Sequence, residues 1–397
     1  MEQFKIRNGL RLFEKKADRK KICVAYLGGS ITLAEGYRIK VTQWLREQWP
    51  EVEVSQINAG IGGTGSVLGA FRLENDVLRY NPDLIFVEFA VNDCEHTSIG
   101  QCQSAMEGIV RKIWNHDIDT DICFIYAINQ QIKAAIEQGR DFWTIQEMEQ
   151  IAEYYGIPSI NMGIEVVCLE KAGRLVYQAS SSASQETVPD GKIIFSRDGV
   201  HPTLDEGHAI YANGIIQFLE SIKNQGAIPV RRELKPELFG TPWENARLVP
   251  LSNVAELSSE WSIAEPAQEG LKCENIHKLC PLYKTVKPGS EIRFNFKGTG
   301  FGLLGIFGLN SGQFTIDVDG VTRPPAALFD KYGNIYRVHY AMAVSGLPDA
   351  QHYVIMKLDS IPPDRSMLLP ERIVSDPSQM EGIVAYIYGL LLLGEPQ

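Results

Sequence analysis

The sequence predicts two domains, a doubly wound α/β domain followed by an all-β domain. Three observations predict this. Up to about residue 225, apolar runs of strand length alternate with stretches of helical spacing, the rhythm of a parallel sheet covered on both faces. From about residue 226 the pattern changes: Pro229, Pro236 and Pro242 punctuate a linker-like stretch, and short alternating segments divided by Gly, Pro and Asp-Gly turns follow. The chain, at 397 residues, is also too long for one average domain.

The first strand is 22–27 (ICVAYL), apolar and partly β-branched, and it stops at Gly28-Gly29 before Ser30. A helix follows over 37–48. The second strand, 52–58 (VEVSQIN), runs into the glycine-rich AGIGGTG, and a helix over 67–79 is closed by Asn81-Pro82. The third strand, 84–89 (LIFVEF), is continuously apolar in the manner of a strand buried on both faces. A helix of about four turns spans 98–114, and 122–127 (ICFIYA) is the fourth strand. Thr144 with Glu147 reads as a capping box for a helix ending near Tyr155-Gly156. Residues 157–161 make a short fifth strand, and a last helix covers 204–223. The expected architecture is a mainly parallel five-stranded sheet in a flavodoxin-like three-layer sandwich, with its site at the carboxyl edges of the strands. Two segments interrupt the rhythm: 129–142, expected to wall the site, and 174–192, whose tract SSSASQET reads as a mobile loop. The predicted boundaries are 1–226 for this domain, 227–245 for a linker and 246–397 for a β-sandwich with segments at 291–297, 302–307, 313–318, 335–343 and 352–358.

A formal charge of -11 and a pI near 5.3 argue against a nucleic-acid or anionic-membrane partner held by charge. No stretch approaches the roughly 20 apolar residues of a membrane span; the apolar tail 383–393 is broken by Gly389 and reads as a core strand. The amino-terminal MEQFKIRNGLRLFEKKADRKK lacks the apolar run of a signal peptide. Seven cysteines, an odd number without dense spacing, suggest small buried side chains in a reducing cytoplasm. Cys94 with Cys102 and Cys273 with Cys280 are spaced too widely for zinc knuckles.

Chemistry-bearing residues gather at the strand ends. They are Ser30, then Asn58-Ala59-Gly60, then Ala90-Val91-Asn92-Asp93, and finally Asp198-Gly199-Val200-His201-Pro202 before the last helix. Ester hydrolysis needs a nucleophile, a base, a group orienting the base and donors for the oxyanion; all four residue types are present. Plainer readings stay open: Ser30 as a helix cap, Asn92-Asp93 as an Asx turn, Asp198 as a cap, His201 as a structural histidine. A metal set of Asp198, His201, Asp205 and His208 at helical spacing is disfavoured by Pro202, and Gly62-Gly63-Thr64-Gly65 lacks the lysine of a phosphate loop.

Gly28-Gly29-Ser30-Ile31-Thr32, Asn58-Ala59-Gly60, Val91-Asn92-Asp93 and Asp198-Gly199-Val200-His201, in that order, resemble the four blocks of the SGNH hydrolases, the GDSL-type esterase and lipase superfamily. The resemblance covers about the first 220 residues. It implies that Ser30 is the nucleophile, His201 its general base and Asp198 the group orienting the imidazole. It places the backbone N–H groups of Ser30 and Gly60 and the side-chain amide of Asn92 in the oxyanion hole, with Gly29 and Asp93 supporting and no cofactor or metal. A Cβ at Gly60 is expected to block the substrate's approach. Two positions depart from the family pattern: the usual aspartate before the serine is Gly29, and the usual glycine two before the asparagine is Ala90. The run 294–319 is similar to the jelly-roll domains that accompany SGNH modules in carbohydrate esterases. Trp243 and Trp261 are candidates either for sugar stacking or for the core. The reading is a cytoplasmic serine esterase that removes acetyl or other short acyl groups from a carbohydrate or small ester, with a homo-oligomer left open. The alternatives are a thioesterase, lysophospholipase or O-acyltransferase on the same triad, or a non-catalytic glycan-binding protein on a hydrolase scaffold.

Overall fold

A computed structural model describes residues 1–12, 20–179, 191–225, 232–240, 243–370, 372, 374 and 376–397. The chain divides into two compact units, Met1–Glu244 and Asn245–Gln397.

The first unit is built on a six-stranded sheet: β1 (Phe4–Lys5), β2 (Lys21–Gly28), β3 (Glu53–Gly60), β4 (Leu84–Glu88), β5 (Asp121–Tyr126) and β6 (Ser159–Asn161), in spatial order β1-β6-β5-β4-β2-β3. Strands β2 to β6 are parallel and correspond to the five read from the sequence; the two-residue β1 adds an antiparallel edge beside β6. Every residue of β4 and β5 is buried, which explains the apolar runs between buried Glu88 at the end of β4 and buried Asp121 at the start of β5. The helices are α1 (Ser30–Leu33), α2 (Tyr37–Gln48), α3 (Ser66–Asp76), α4 (Ala90–His96), α5 (Ile99–His116), α6 (Gln130–Glu137), α7 (Trp143–Tyr155), α8 (Gly163–Lys171) and α9 (Glu206–Gln225). Helix α2 packs with α9, while α3 packs on α5 and α5 on α7. A separate parallel pair, β7 (Leu175–Gln178) and β8 (Ile193–Ser196), brackets the tract read as a mobile loop, whose residues 180–190 lie outside the described ones.

The capping box is not where the sequence suggested. Helix α7 begins after Phe142 with no side-chain cap, and Thr144 is fully buried within its first turn. The box closes α5 instead, where Ser98 Oγ accepts from Gln101 N at 3.3 Å and the Gln101 side chain returns to Ser98 N. Residues 232–240, 243 and 244, within the stretch read as a linker, belong to the first unit. Arg232 pairs with buried Asp121, and buried Glu107 accepts from Leu238 N, Phe239 N and Tyr155 Oη. Trp243 N donates to Ser104 O at 2.9 Å and its ring lies 5.8 Å from Phe71.

The strand order places the site. From β2 the chain goes to β3 on one side and then returns past β2 to β4 on the other. The crevice at the carboxyl ends of β2 and β4 is therefore a topological switch point. Register aligns the ends, since Gly28 pairs with both Gly60 and Glu88. Buried Arg72 of α3 ties this edge together. It donates to Ala59 O at 2.7 Å and Gly28 O at 3.0 Å, and pairs with Asp76 at 2.9 Å. Arg72→Leu strands Asp76 and takes a donor from both carbonyls, so it is expected to destabilise the protein by about 3 kcal/mol or more. Urea unfolding should show a lower midpoint at unchanged slope.

The named strands of the second unit pair antiparallel: β9 (Ala246–Pro250), β10 (Ala255–Leu257), β11 (Ser262–Ala264), β12 (Leu282–Thr285), β13 (Glu291–Phe307), β14 (Gln313–Val318), β15 (Val321–Ala327), β16 (Arg337–Leu358) and β17 (Ala385–Pro396). Strand β13 folds back on itself. Phe294 and Phe301 lie seven residues apart, about 23 Å in an extended strand, yet their rings are 5.2 Å apart. The bend falls at the register shift between Gly298 and Gly300, where the backbone of β17 passes too close to Gly298 for any side chain. The two halves of β13 thus face each other across one apolar core with Phe314, Val354 and Leu390. Trp261 stacks on Phe314 and donates to Glu291 O at 3.0 Å, so it belongs to the packing.

Candidate active site

Ser30 opens α1 directly after the Gly28-Gly29 turn. Its Oγ lies 2.7 Å from His201 Nε2, and His201 Nδ1 lies 2.6 Å from Asp198 Oδ2. Residues 171 positions apart in the chain are thus joined in one hydrogen-bonded line. The loop that brings His201 there is pinned on several sides. Asp198 Oδ1 accepts from Val200 N at 2.9 Å and His201 N at 2.8 Å; Gly199 N donates to Ser196 Oγ at 2.9 Å. Tyr177 Oη donates to Gly199 O at 2.9 Å, and Gly199 takes φ +80, a left-handed conformation that suits glycine. Partial burial works against the Asp198 charge. The His201 ring and the two backbone N–H groups outweigh it and hold the carboxyl at about 2. The His201 and Asp198 side chains are 50% and 55% exposed, so water reaches the line directly.

Asn92, in α4, lies against the serine turn: a Cβ at Gly29 would strike Asn92 Oδ1 and would lie 3.4 Å from Thr64 O. The glycine at 29 thus lets the asparagine and the 61–65 loop close on Ser30. Asp93 is fully buried and faces away, its Oδ1 accepting from Ser66 N at 2.8 Å and Thr97 Oγ1 at 3.1 Å. Burial pushes its carboxyl up to about 6, and the hydrogen bonds from Ser66 and Thr97 only partly counter this. It fastens α4 to the start of α3.

Gly60 is glycine for a different reason from the one the sequence suggested. A Cβ there would meet the Leu33 backbone, with Leu33 Cα at 2.6 Å, rather than project towards substrate. Its N–H donates to Asn58 Oδ1 at 3.0 Å, while Asn58 Nδ2 donates to Leu33 O at 3.1 Å. Gly63, three residues on, has φ +68 and open space where a Cβ would point.

The sequence placed His208 on the last helix as a packing or surface residue and in a disfavoured metal set, and it left Glu88 unmarked. His208 is buried, stacks on Tyr37 at 6.0 Å and accepts from Tyr37 N at 3.2 Å, tying α9 to the corner after α1. Burial first, then the nearby His201, Lys40 and Arg38, push its imidazole down to about 4. Below an unfolded value near 6.5 the unfolded chain binds this proton first, so stability falls as pH drops from about 6.5 towards 4. The His208→Gln variant is expected to lose that slope, amounting to about 3 kcal/mol in the wild-type chain, when unfolding is measured at several pH values. Glu88 was hidden inside the apolar run LIFVEF; it was the one charged residue in that strand, which was its signal.

Among the described residues, no group of three or more His, Cys, Asp or Glu is placed to hold a metal ion, and no helix is long and apolar enough to cross a membrane. All seven cysteines are free.

Residues 26–210 match the family described as GDSL-like lipase/acylhydrolase. No curated protein matches the chain. Among solved structures, the chain is similar to a two-domain esterase, CEX, described as active on acetylated mannans. The form co-crystallised with mannopentaose matches at TM-score 0.72 and 19% identity, over 99% of this chain and 96% of that one. A second structure of that esterase matches at TM-score 0.71 and 20% identity, over 98% and 94%. Likeness at this identity concerns the fold, an α/β domain followed by an antiparallel β domain. Residues 26–210 are thus similar to the GDSL-like lipase/acylhydrolase family, and the match supports an ester-hydrolysing enzyme.

Proposed function

We propose that the protein is a serine esterase that removes acetyl or other short acyl groups from a carbohydrate through an acyl-enzyme. The observation that carries the reading is the unbroken line from Ser30 through His201 to Asp198 at the switch point of the sheet. Ser30 Oγ attacks the ester carbonyl as His201 Nε2 takes its proton; Asp198 holds Nδ1–H and stabilises the imidazolium. The C–O bond then breaks, with His201 returning the proton to the leaving alcohol. Water, deprotonated by the same imidazole, attacks the acyl-Ser30 ester and releases the carboxylic acid.

The oxyanion would be met by the Ser30 N–H and the Asn92 amide. The Gly60 N–H can join only by giving up Asn58 Oδ1. We assign the third donor to the Gly63 N–H, on the 61–65 loop whose Thr64 O lies 3.4 Å from where a Gly29 Cβ would sit. Asp93 and Gly29 act in support, one fastening α4 and the other admitting Asn92.

The exposed imidazole favours hydrolysis over transfer, because water has open access to the acyl-enzyme. The choice of an acetylated carbohydrate is taken from the two-domain esterase with the same fold, which is described as active on acetylated mannans. A panel of acetylated oligosaccharides, aryl esters of rising chain length and an acyl thioester tests it, with free acid and transferred acyl group both quantified. Acetate released from the oligosaccharides, with rates falling as the acyl chain lengthens, is expected. Preference for long-chain esters or thioesters, or acyl transfer in place of free acid, would overturn it.

A further inference from the structure

We propose that Glu88 is a positioning residue for the Ser30 turn, gripping the chain on both sides of the nucleophile from beneath the sheet edge. The proposal rests on Ser30 being the nucleophile. Glu88 ends β4 and pairs in register with Gly28, so its side chain is set directly under the turn. It is fully buried. Its Oε2 accepts from Thr32 Oγ1 at 3.3 Å, and its carboxylate is also favoured by the Gly29 backbone N–H. Gly29 precedes Ser30 and Thr32 follows it by two, so one carboxyl fixes both ends of the turn.

The hydroxyls form a relay with a definite direction. When Glu88 is ionised, Thr32 gives its single hydroxyl proton to the carboxylate, so the Tyr37 hydroxyl, 2.8 Å away, donates to Thr32 Oγ1. Tyr37 is itself buried and held by His208, so the relay reaches back into the core. Space allows little else: a Cβ at Gly28 would strike Thr32 Oγ1 and would lie 2.8 Å from Glu88 O. The other carboxyl oxygen, Oε1, is buried without a hydrogen-bond partner. A buried acidic group with only part of its bonding satisfied is retained against its own desolvation penalty, which points to a job at this edge.

The groups facing Glu88 come from four elements: Gly29 and Thr32 from the turn and α1, Tyr37 from α2, Asp93 from α4 and Tyr211 from α9. Burial, and then the Asp93 charge, raise the Glu88 carboxyl to about 7 against the bonds from Thr32 and Gly29. The grip is therefore strongest above neutrality, when the group is ionised and both donors point at a charge.

The test compares wild type, Glu88→Ala and Glu88→Gln as full-length protein. It follows turnover of p-nitrophenyl acetate per titrated active site and the rate of fluorophosphonate labelling at Ser30, both from pH 5.5 to 9. Glu88→Ala is expected to lose about 10- to 100-fold in kcat with KM nearly unchanged, and the labelling rate should fall by the same factor. Glu88→Gln keeps an acceptor but cannot ionise. It should restore most of the rate near pH 6 and fall progressively behind wild type as pH rises through 7. Should Glu88→Ala not fold, Thr32→Val removes one link and is expected to lower kcat about 3- to 10-fold, with Ser30 still labelled. Label on Ser30 at equal rates in wild type and Glu88→Ala (or Thr32→Val), or a pH-independent ratio for Glu88→Gln, would overturn this proposal alone. Absence of label on Ser30 in the wild-type chain would overturn it together with the esterase reading.

Discussion

Replacing Ser30 with alanine is expected to lower kcat for acetyl esters by about 10⁴- to 10⁶-fold, the largest effect of any single substitution in the chain. The hydroxyl lies 2.7 Å from His201 Nε2 at the switch point, and among the described residues no second nucleophile is hydrogen-bonded to that nitrogen. Folding should be unaffected, because the serine's bond to the imidazole is exposed and its backbone already sits in α1. The informative comparison is with Ser30→Ala/His201→Ala. If the two act as a unit, the double variant is no slower than the single one. Additive losses, measured as kcat on p-nitrophenyl acetate with unfolding midpoints alongside, would mean that the two residues serve different steps.

Asp198→Asn should lower kcat by about 10³- to 10⁴-fold with little change in KM. The carboxylate accepts from the His201 Nδ1–H, and this fixes the tautomer that leaves Nε2 free to take the serine proton. An amide in its place can present its NH₂ to Nδ1, favouring the tautomer with the proton on Nε2. Held at about 2, the Asp198 carboxyl is ionised at every pH where the protein would be assayed. The acid limb of the rate profile must therefore come from another group. An Asp198→Asn rate within ten-fold of wild type would show that the loop geometry alone orients the imidazole.

What could be read in advance follows from where physics leaves a mark in one dimension. Strands β2, β4 and β5 are covered on both faces, so the body of each reads as an apolar run, with the charged Lys21, Glu88 and Asp121 at the ends. Ser30, Asn92, Asp198 and His201 stood out because polar residues after such runs have only the strand edge to occupy. Helix ends were less legible. Thr144-x-x-Glu147 and Ser98-x-x-Gln101 carry the same cap pattern, and only the second is used, since Thr144 is drawn into the core beside Cys94. The two-residue β1 is too short to leave any periodicity. Gly60 shows a different limit: the sequence marked a position where a side chain is forbidden, but not which neighbour forbids it. Glu88 and Arg72 were passed over because each sits inside an otherwise apolar or helical pattern. Their partners, Thr32 and the carbonyls of Gly28 and Ala59, become neighbours only when the sheet forms.

Whether distant strand-edge loops converge on one reactive hydroxyl is read out by fluorophosphonate labelling followed by peptide mapping. One adduct per chain is expected, on Ser30, formed rapidly in wild type and suppressed when His201 is replaced by alanine. An adduct on another serine, or a wild-type chain that cleaves acetyl esters while Ser30 stays unmodified, would contradict this expectation.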